Sequence, residues 1–298
     1  IDRKDIRVGD LATIERAGDV IPHILSVDKT KRDKKSSKFI FPKKCPSCGS
    51  KTIKEFNNVT KREDAVRRCS SEGYECEKIA IEKLKHFVSK DALDIEGFGK
   101  KIVENFWNLN LIKFPHNIFN LNFQKIENLE GWGRQSVENL KYSINQRKNI
   151  SLERLIYSLG IRHIGLENAK ILSRYFKSFS KFINFSNETS LDDILNIDGI
   201  GETQLKSLRN FFNNNVNVNI LEELQKILDV KDAVPKDNNG LLNEKTFMVT
   251  GKLNGISRAE VKSLIEENSG SSVSTVTKKL DYLIIGEKPT KKKVDKAK

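Results

Sequence analysis

The chain has 298 residues, room for two or three domains, with 53 Lys and Arg against 40 Asp and Glu, a formal charge of +13. Hydrophobic residues make up 37%, and Leu, Ile, Val and Phe recur throughout, which excludes a disordered composition. No apolar run approaches the roughly 18–20 residues of a membrane span, and the first residues carry no signal-peptide pattern. Such a basic chain most often meets nucleic acid; a solvated charged surface is the plain alternative.

The chain opens on Ile1 as "IDRKDIRVGD", which reads as a sequence entered midway. The segments "DLATIER" and "DVIPHILSV" then read as two strands joined at Ala17-Gly18-Asp19. Two strands and a turn are marginal alone, so residues 1–41 are expected to be the tail of a small β-barrel. Residues 28–44 concentrate eight Lys and Arg against two Asp. Phosphate contact and simple solubility both fit that run.

Next come Cys45, Cys48, Cys69 and Cys76, spaced C-x2-C-x20-C-x6-C, with no other cysteine in the chain. Four thiolates suit a closed tetrahedral zinc site, one tight knuckle supplying two ligands. Pro46 and Gly49 fit the turn, Gly49 through its access to positive φ. A disulfide pair needs an oxidising compartment, for which nothing argues, and a redox C-x-x-C needs a βαβ setting that is absent. His86 falls on a helical stretch and reads as a bystander.

Beyond Cys76 one pattern returns: "LDIEGFGKKIVENF" at 93–106, "IENLEGWGRQSVENL" at 126–140, "LGIRHIGLENAKIL" at 159–172 and "LNIDGIGETQLKSL" at 195–208. The cores are Gly97/Gly99, Gly131/Gly133, His163/Gly165 and Gly199/Gly201, spaced 34, 32 and 36 residues apart. A repeat of that period means a supersecondary unit. An apolar helix end, such as Leu93 and Ile95, is expected to run into the glycine turn. A second helix follows, and the residue between the glycines plugs the gap. The amides opening the second helix then face outward as an anion site. Ligand-free helical hairpins are the alternative. His163 stands where the other copies have glycine, which makes that copy's phosphate contact the least secure.

After a polar linker at 231–243, "KTFMVTG" reads as a buried strand. Ser257 and Glu260 form a capping-box pattern, and a helix carries Val261, Leu264 and Ile265 on one face. Strands are expected near Val273–Val276 and Tyr282–Ile285, then "KPTKKKVDKAK" as the start of a helix in a basic terminus.

Together these features resemble the C-terminal half of a bacterial NAD-dependent DNA ligase. The strings that carry the resemblance are "RKDIRVGD", "RAGDVIP", "FPKKCPSCGS", "KHFVSKDALDIEGFG", "LGIRHIG" and "FMVTGKL". It implies a multidomain α+β chain: the end of an oligonucleotide-binding (OB) barrel (1–41), a four-cysteine zinc finger (42–80), an all-α domain of four helix-hairpin-helix copies (81–230), a linker (231–243) and a truncated α/β BRCT domain (244–298). Arg16, Val20 and Ile21 match family positions that touch nicked duplex in the minor groove; barrel core is the alternative for the apolar pair. Gly97, Gly99, Gly131, Gly133, Gly165, Gly199 and Gly201 match phosphate-holding positions, and the four cysteines match the family's zinc ligands. Thr250, Gly251 and the lysines near Lys292 match phosphate-binding positions of some BRCT domains, although a plain turn and a solvated helix start are the favoured reading. The loop between Cys48 and Cys69 is longer than the family's usual one, as is the spacing of the second pair.

The family reaction needs a lysine in a K-x-D-G setting that takes AMP from NAD. The nearest string is Asn196-Ile197-Asp198-Gly199, with Asn in the lysine's place. The adenylation domain is therefore expected upstream, and no catalytic residue is assigned here. The resemblance implies zinc in this chain, NAD and magnesium in other domains, nicked double-stranded DNA as partner, a monomer, no membrane, and a nucleoid-associated bacterial cytoplasmic protein. The rival reading is a non-ligase helix-hairpin-helix module of a repair nuclease or junction-binding protein. A protein-interaction scaffold explains only the last fifth.

Overall fold

The computed structural model describes residues 1–17, 21–57, 61–64, 66–185, 194, 195, 197, 199–233, 240–256, 258–273, 276 and 280–297. The chain divides into two compact units, Ile1–Glu72 and Gly73–Lys298.

In the first unit, β1 (Ala12–Ala17) and β2 (Ile21–Val27) form the expected antiparallel pair, with a register shift between Thr13 and Ile14. No described residue of this unit is fully buried. What ties it together is ionic. Arg32 reaches Asp5 at 2.6 Å and Asp10 at 2.7 Å, joining the segment after β2 to the segment before β1. Hydrogen bonds from Arg32, then Arg7, hold the Asp5 carboxyl down at about 2. Further on, β3 (Thr52–Ile53) pairs with β6 (Arg68–Cys69), and β4 (Phe56–Asn57) with β5 (Arg62–Glu63), both antiparallel. The 20 residues between Cys48 and Cys69 are thus spent on a two-rung ladder that brings Cys69 back beside the knuckle. This gives the long spacing a physical reason.

The second unit is helical first. Its helices are α1 (Glu77–Phe87), α2 (Lys100–Asn108), α3 (Phe123–Glu127), α4 (Arg134–Gln146), α5 (Leu152–Ser158), α6 (Leu166–Phe176), α7 (Phe179–Ile183), α8 (Glu202–Phe212) and α9 (Asn215–Ile227). One continuous apolar core runs from Ala80 to Leu228, with Leu84, Phe106, Leu155, Phe182 and Leu224 fully enclosed. A short parallel pair, β7 (Asn149–Ser151) with β8 (Asp229–Lys231), ties the end of this region to its middle. Leu93 and Ile95 are buried as expected, but in the turn after α1 rather than at a helix end. The helix stops at Phe87, and Leu93 N–H caps it by donating to Phe87 O at 3.1 Å. His86 lies on α1, its Nε2 2.8 Å from the Tyr157 carbonyl oxygen.

The last region is a three-stranded parallel sheet in the order β10-β9-β11, from β9 (Thr246–Thr250), β10 (Ser271–Ser272) and β11 (Tyr282–Ile285). Helix α10 (Arg258–Glu267) crosses from β9 to β10, and α11 (Lys291–Ala297) follows β11. The edge strand β10 begins before the expected Val273–Val276: Ser271 N–H donates to Lys245 O at 2.8 Å and Val273 N–H to Phe247 O at 2.9 Å, while residues 274 and 275 lie outside the described residues. A turn of residues 268–270 joins the helix to the strand, and it is tight at Gly270, where a Cβ would lie 2.7 Å from Ile265 Cγ2. The capping residue expected at Ser257 lies outside the described residues. Among the described residues no helix is long and apolar enough to cross a membrane.

Candidate nucleic-acid interface

The four repeats adopt one loop geometry. At the first position Gly97, Gly131, His163 and Gly199 have φ of +81°, +81°, +60° and +88°. At the second, Phe98, Trp132, Ile164 and Ile200 each donate backwards to the carbonyl three residues earlier, at 3.1, 3.0, 3.1 and 3.0 Å. At the third, Gly99, Gly133, Gly165 and Gly201 sit in extended backbone as N-caps of α2, α4, α6 and α8. Phe98, Ile164 and Ile200 are buried plugs. Trp132 is only half-buried, tilted against Phe106 with ring centroids 5.5 Å apart.

The first-position glycines are explained by φ. A left-handed conformation costs an L-residue roughly 1–2 kcal/mol. His163 takes that conformation, and its carbonyl accepts from Asn168 Nδ2 at 3.0 Å, so the departing copy keeps the loop. The third-position glycines have no such internal reason. Their φ values are ordinary, and a Cβ added at Gly99, Gly133 or Gly165 would meet nothing within 4 Å. At Gly201 it would meet only Gln204 Oε1, at 3.4 Å. All four are exposed.

Charge divides the copies. The first turns of α2 and α4 contain no acid, whereas α6 opens with Glu167 and α8 with Glu202. Lys100 and Lys101 follow Gly99, and Arg134 follows Gly133. Two amides also have partners within the chain: Gly133 N–H donates to Ser136 Oγ at 3.0 Å, and Gly201 N–H to Gln204 Oε1 at 3.2 Å. A concavity of about 660 Å³ lies between the first two hairpins, lined by Gly97, Ile102, Gly131, Trp132 and Tyr142 among others. Sequence reading missed this partition, although Ser136 and Gln204, three residues past their N-caps, carry a legible capping signal.

The metal-binding types also come together. The ligand atoms of Cys45, Cys48, Cys69 and Cys76 all lie within 4.8 Å of one another. Tetrahedral zinc with Zn–S of about 2.3 Å needs sulfurs roughly 3.8 Å apart, so the cluster can hold such an ion with small adjustment. Gly49 takes the expected positive φ, +75°, but its N–H donates to Cys45 O at 2.9 Å. Amides that do reach sulfurs include Ser71 N–H, 3.4 Å from Cys69 Sγ, and the backbone N–H of Ser50, at Cys48. Hydrogen bonds from Ser50, then Ser71, draw the Cys48 thiol down to about 5, toward the thiolate a metal requires.

Arg16 is exposed on β1, opposite Pro22. Ile21 opens β2, opposite Ala17, and Val20 lies outside the described residues. Thr250 is buried, with its hydroxyl oxygen accepting from Thr290 N–H at 3.2 Å. Gly251 packs so closely on Gly286 that a Cβ would lie 2.6 Å from its backbone. These contacts fit the plain-turn reading.

A helix-hairpin-helix motif model matches residues 154–221, and a BRCA1 C Terminus (BRCT) domain model matches residues 237–298. The whole chain is 66% identical to a DNA ligase of Pelagibacter ubique, covering 44% of that protein. It is 43% identical to a DNA ligase of Wolbachia pipientis, with 98% of this chain and 44% of that protein covered. For a DNA ligase of Rickettsia bellii the figures are 40% identity, 96% and 42%. The chain therefore spans less than half the length of the curated relatives it matches. These relatives do not favour the non-ligase module.

Proposed function

We propose that this chain, the C-terminal region of a DNA ligase, holds nicked duplex DNA by its phosphate backbone while other parts of the protein carry the chemistry. The observation that carries the reading is the third loop position. Four repeats place glycine there, and among the described residues no neighbour stands where a Cβ would clash. A partner that comes up against the backbone does need it. A phosphate meets outward amides and the positive end of the helix dipole at such a site, and contact with phosphates alone is sequence-independent and falls steeply with salt. Gly97, Gly131 and Gly199 set the turn; Gly99, Gly133, Gly165 and Gly201 leave room for the phosphate.

In the same reading residues 1–41 end an OB barrel, with Arg16, Val20 and Ile21 in the minor groove, where apolar side chains can hold the groove open at a break. Residues 42–80 form the zinc finger, 81–230 the hairpin domain, 231–243 a linker and 244–298 the BRCT domain. Zinc suits four thiolates and supplies structure rather than chemistry. The string K-x-D-G is absent from these residues, so NAD and magnesium serve other domains and this chain takes no AMP itself. It acts as a monomer in the bacterial cytoplasm, at the nucleoid.

Fluorescence anisotropy tests the binding. Nicked duplexes of unrelated sequence should bind within about twofold of one another, with log Kd rising linearly with log salt. Strong sequence preference, or no binding at low salt, overturns the reading. Labelled NAD should leave no covalent AMP on the chain. Metal analysis should find about one zinc per chain, and Cys69→Ser should lose it together with the order of residues 45–76, because binding energy in such sites is folding energy.

A further inference from the structure

Helix α10 meets the hairpin region through charge. Glu260 Oε1 lies 2.9 Å from Arg147 Nη1 and 3.8 Å from Arg154 Nη1. Glu266 Oε1 lies 2.9 Å from Lys170 Nζ. Between them, the Ser263 hydroxyl donates to the Glu153 carboxylate. Residues 260, 263 and 266 recur at the three-residue step that keeps side chains on one helical stripe. The surface opposite is built from the end of α4, from α5 and from α6, and a cavity of about 410 Å³ remains at the contact, lined by Arg147, Ser151, Arg154, Glu260 and Glu266 among others. The join is thus polar and incompletely packed, unlike the core on either side.

The receiving arginines have a second task. Arg147 also donates from Nε to Asp94 O at 3.1 Å and from Nη2 to the Asp94 carboxylate at 3.3 Å. Arg154, 5% exposed, gives Nε and Nη2 to Ala92 O at 2.9 and 2.5 Å. Both brace the turn that enters the first hairpin loop at Gly97. Burial and the neighbouring Arg147 charge disfavour the Arg154 cation, and Glu260 and Asp94 offset them only in part. The arginine pair calls for an anion at the position Glu260 takes.

We propose that α10 is a docking element: its acidic stripe seats the C-terminal domain on the hairpin domain, Glu260 on the Arg147–Arg154 pair and Glu266 on Lys170, as a latch that salt releases. The pairs are partly exposed, with side-chain accessibility of 20% for Arg147 and 38% for Glu260. Screening shortens from about 8 Å at physiological ionic strength to about 3 Å at 1 M, which weakens such pairs and leaves apolar packing in place. The latch stands apart from the DNA reading, and its test contains no DNA.

Zero-length carbodiimide coupling of the full chain, followed by mass spectrometry of the monomeric species, joins a lysine to a carboxylate only in contact. The Lys85–Glu104 pair, 2.7 Å apart between α1 and α2, is the internal standard, since core packing holds it. A Lys170–Glu266 product is expected at low salt. Relative to the standard it should fall about fivefold by 1 M salt, and about threefold in Glu260→Gln, whose carboxamide forgoes the charge-assisted bond to Arg147. Absence of the product while Lys85–Glu104 forms overturns the latch. So does a yield indifferent to Glu260→Gln or to salt.

Discussion

The first two hairpins and the last two share a backbone and differ in what surrounds it. In all four the loop turns at positive φ and a glycine opens the next helix. In the first pair, cationic residues follow that glycine; in the second, Glu167 and Glu202 occupy the first helical turn. An acid there satisfies the helix dipole from within and stabilises the helix. Its absence leaves the dipole to an external anion. On the proposed phosphate-binding reading, a repeat keeps its fold while its copies divide between binding and support. The first hairpin, with no acid and no amide partner from its own first turn, is the strongest phosphate site on this view.

The sharpest way to break the comparison is to fill the loops. Gly99→Ala with Gly133→Ala should raise Kd for nicked duplex at least tenfold, since hydrogen bonds to a charged group are worth about 1.5–3 kcal/mol. Gly165→Ala with Gly201→Ala should raise it only about threefold, circular dichroism remaining native in both. Equal losses would dissolve the distinction. Next in size, Lys100→Gln with Arg134→Gln should flatten the slope of log affinity against log salt by about two, one per phosphate contact; an unchanged slope would remove those cations from the interface.

Glu167→Gln and Glu202→Gln should move two quantities in opposite directions. Affinity should rise about twofold each, while denaturation should show a loss of about 0.3–1 kcal/mol each as the helix dipole goes unpaired. A gain in both would mean that the acids do not serve the helix. The smallest effect concerns His163. Relief of its left-handed backbone, about 1–2 kcal/mol, is partly offset by the entropy of glycine, about 0.5–1 kcal/mol. His163→Gly should therefore raise Tm by a few degrees at most and leave DNA affinity unchanged; a large change in affinity would make the imidazole itself a contact.

The repeat was legible because Gly-apolar-Gly recurs at a nearly constant period, and each occurrence serves a local need: a positive φ, a plug, a helix start. The β1–β2 hairpin and the strands at Thr246–Thr250 and Tyr282–Ile285 were legible for the same reason, β-rich runs bounded by turn residues. Legibility failed where a distant partner decided the outcome. Ser271 and Ser272 form a strand only because Lys245 and Phe247 offer backbone partners to that segment. Leu93 and Ile95 are core in a turn because α1 ends early and the chain folds back over it. Ser50 and Ser71 reach the sulfur of Cys48 although neither lies in a recognisable ligand pattern.

By itself, then, the sequence determined the kinds of part: four thiolates with the count of a closed site, four helical hairpins each with a glycine at a helix start, and a basic balance suited to a polyanion. These rest on residue type and local spacing, which act over a turn or two of chain. The tertiary structure decided what the parts face. It brought Cys69 back to the knuckle through a two-rung ladder, and set Glu260 against Arg147 and Arg154 across more than a hundred residues. The reason is range: backbone preferences are settled between near neighbours, whereas charge pairs and enclosed cavities exist only after the chain has packed.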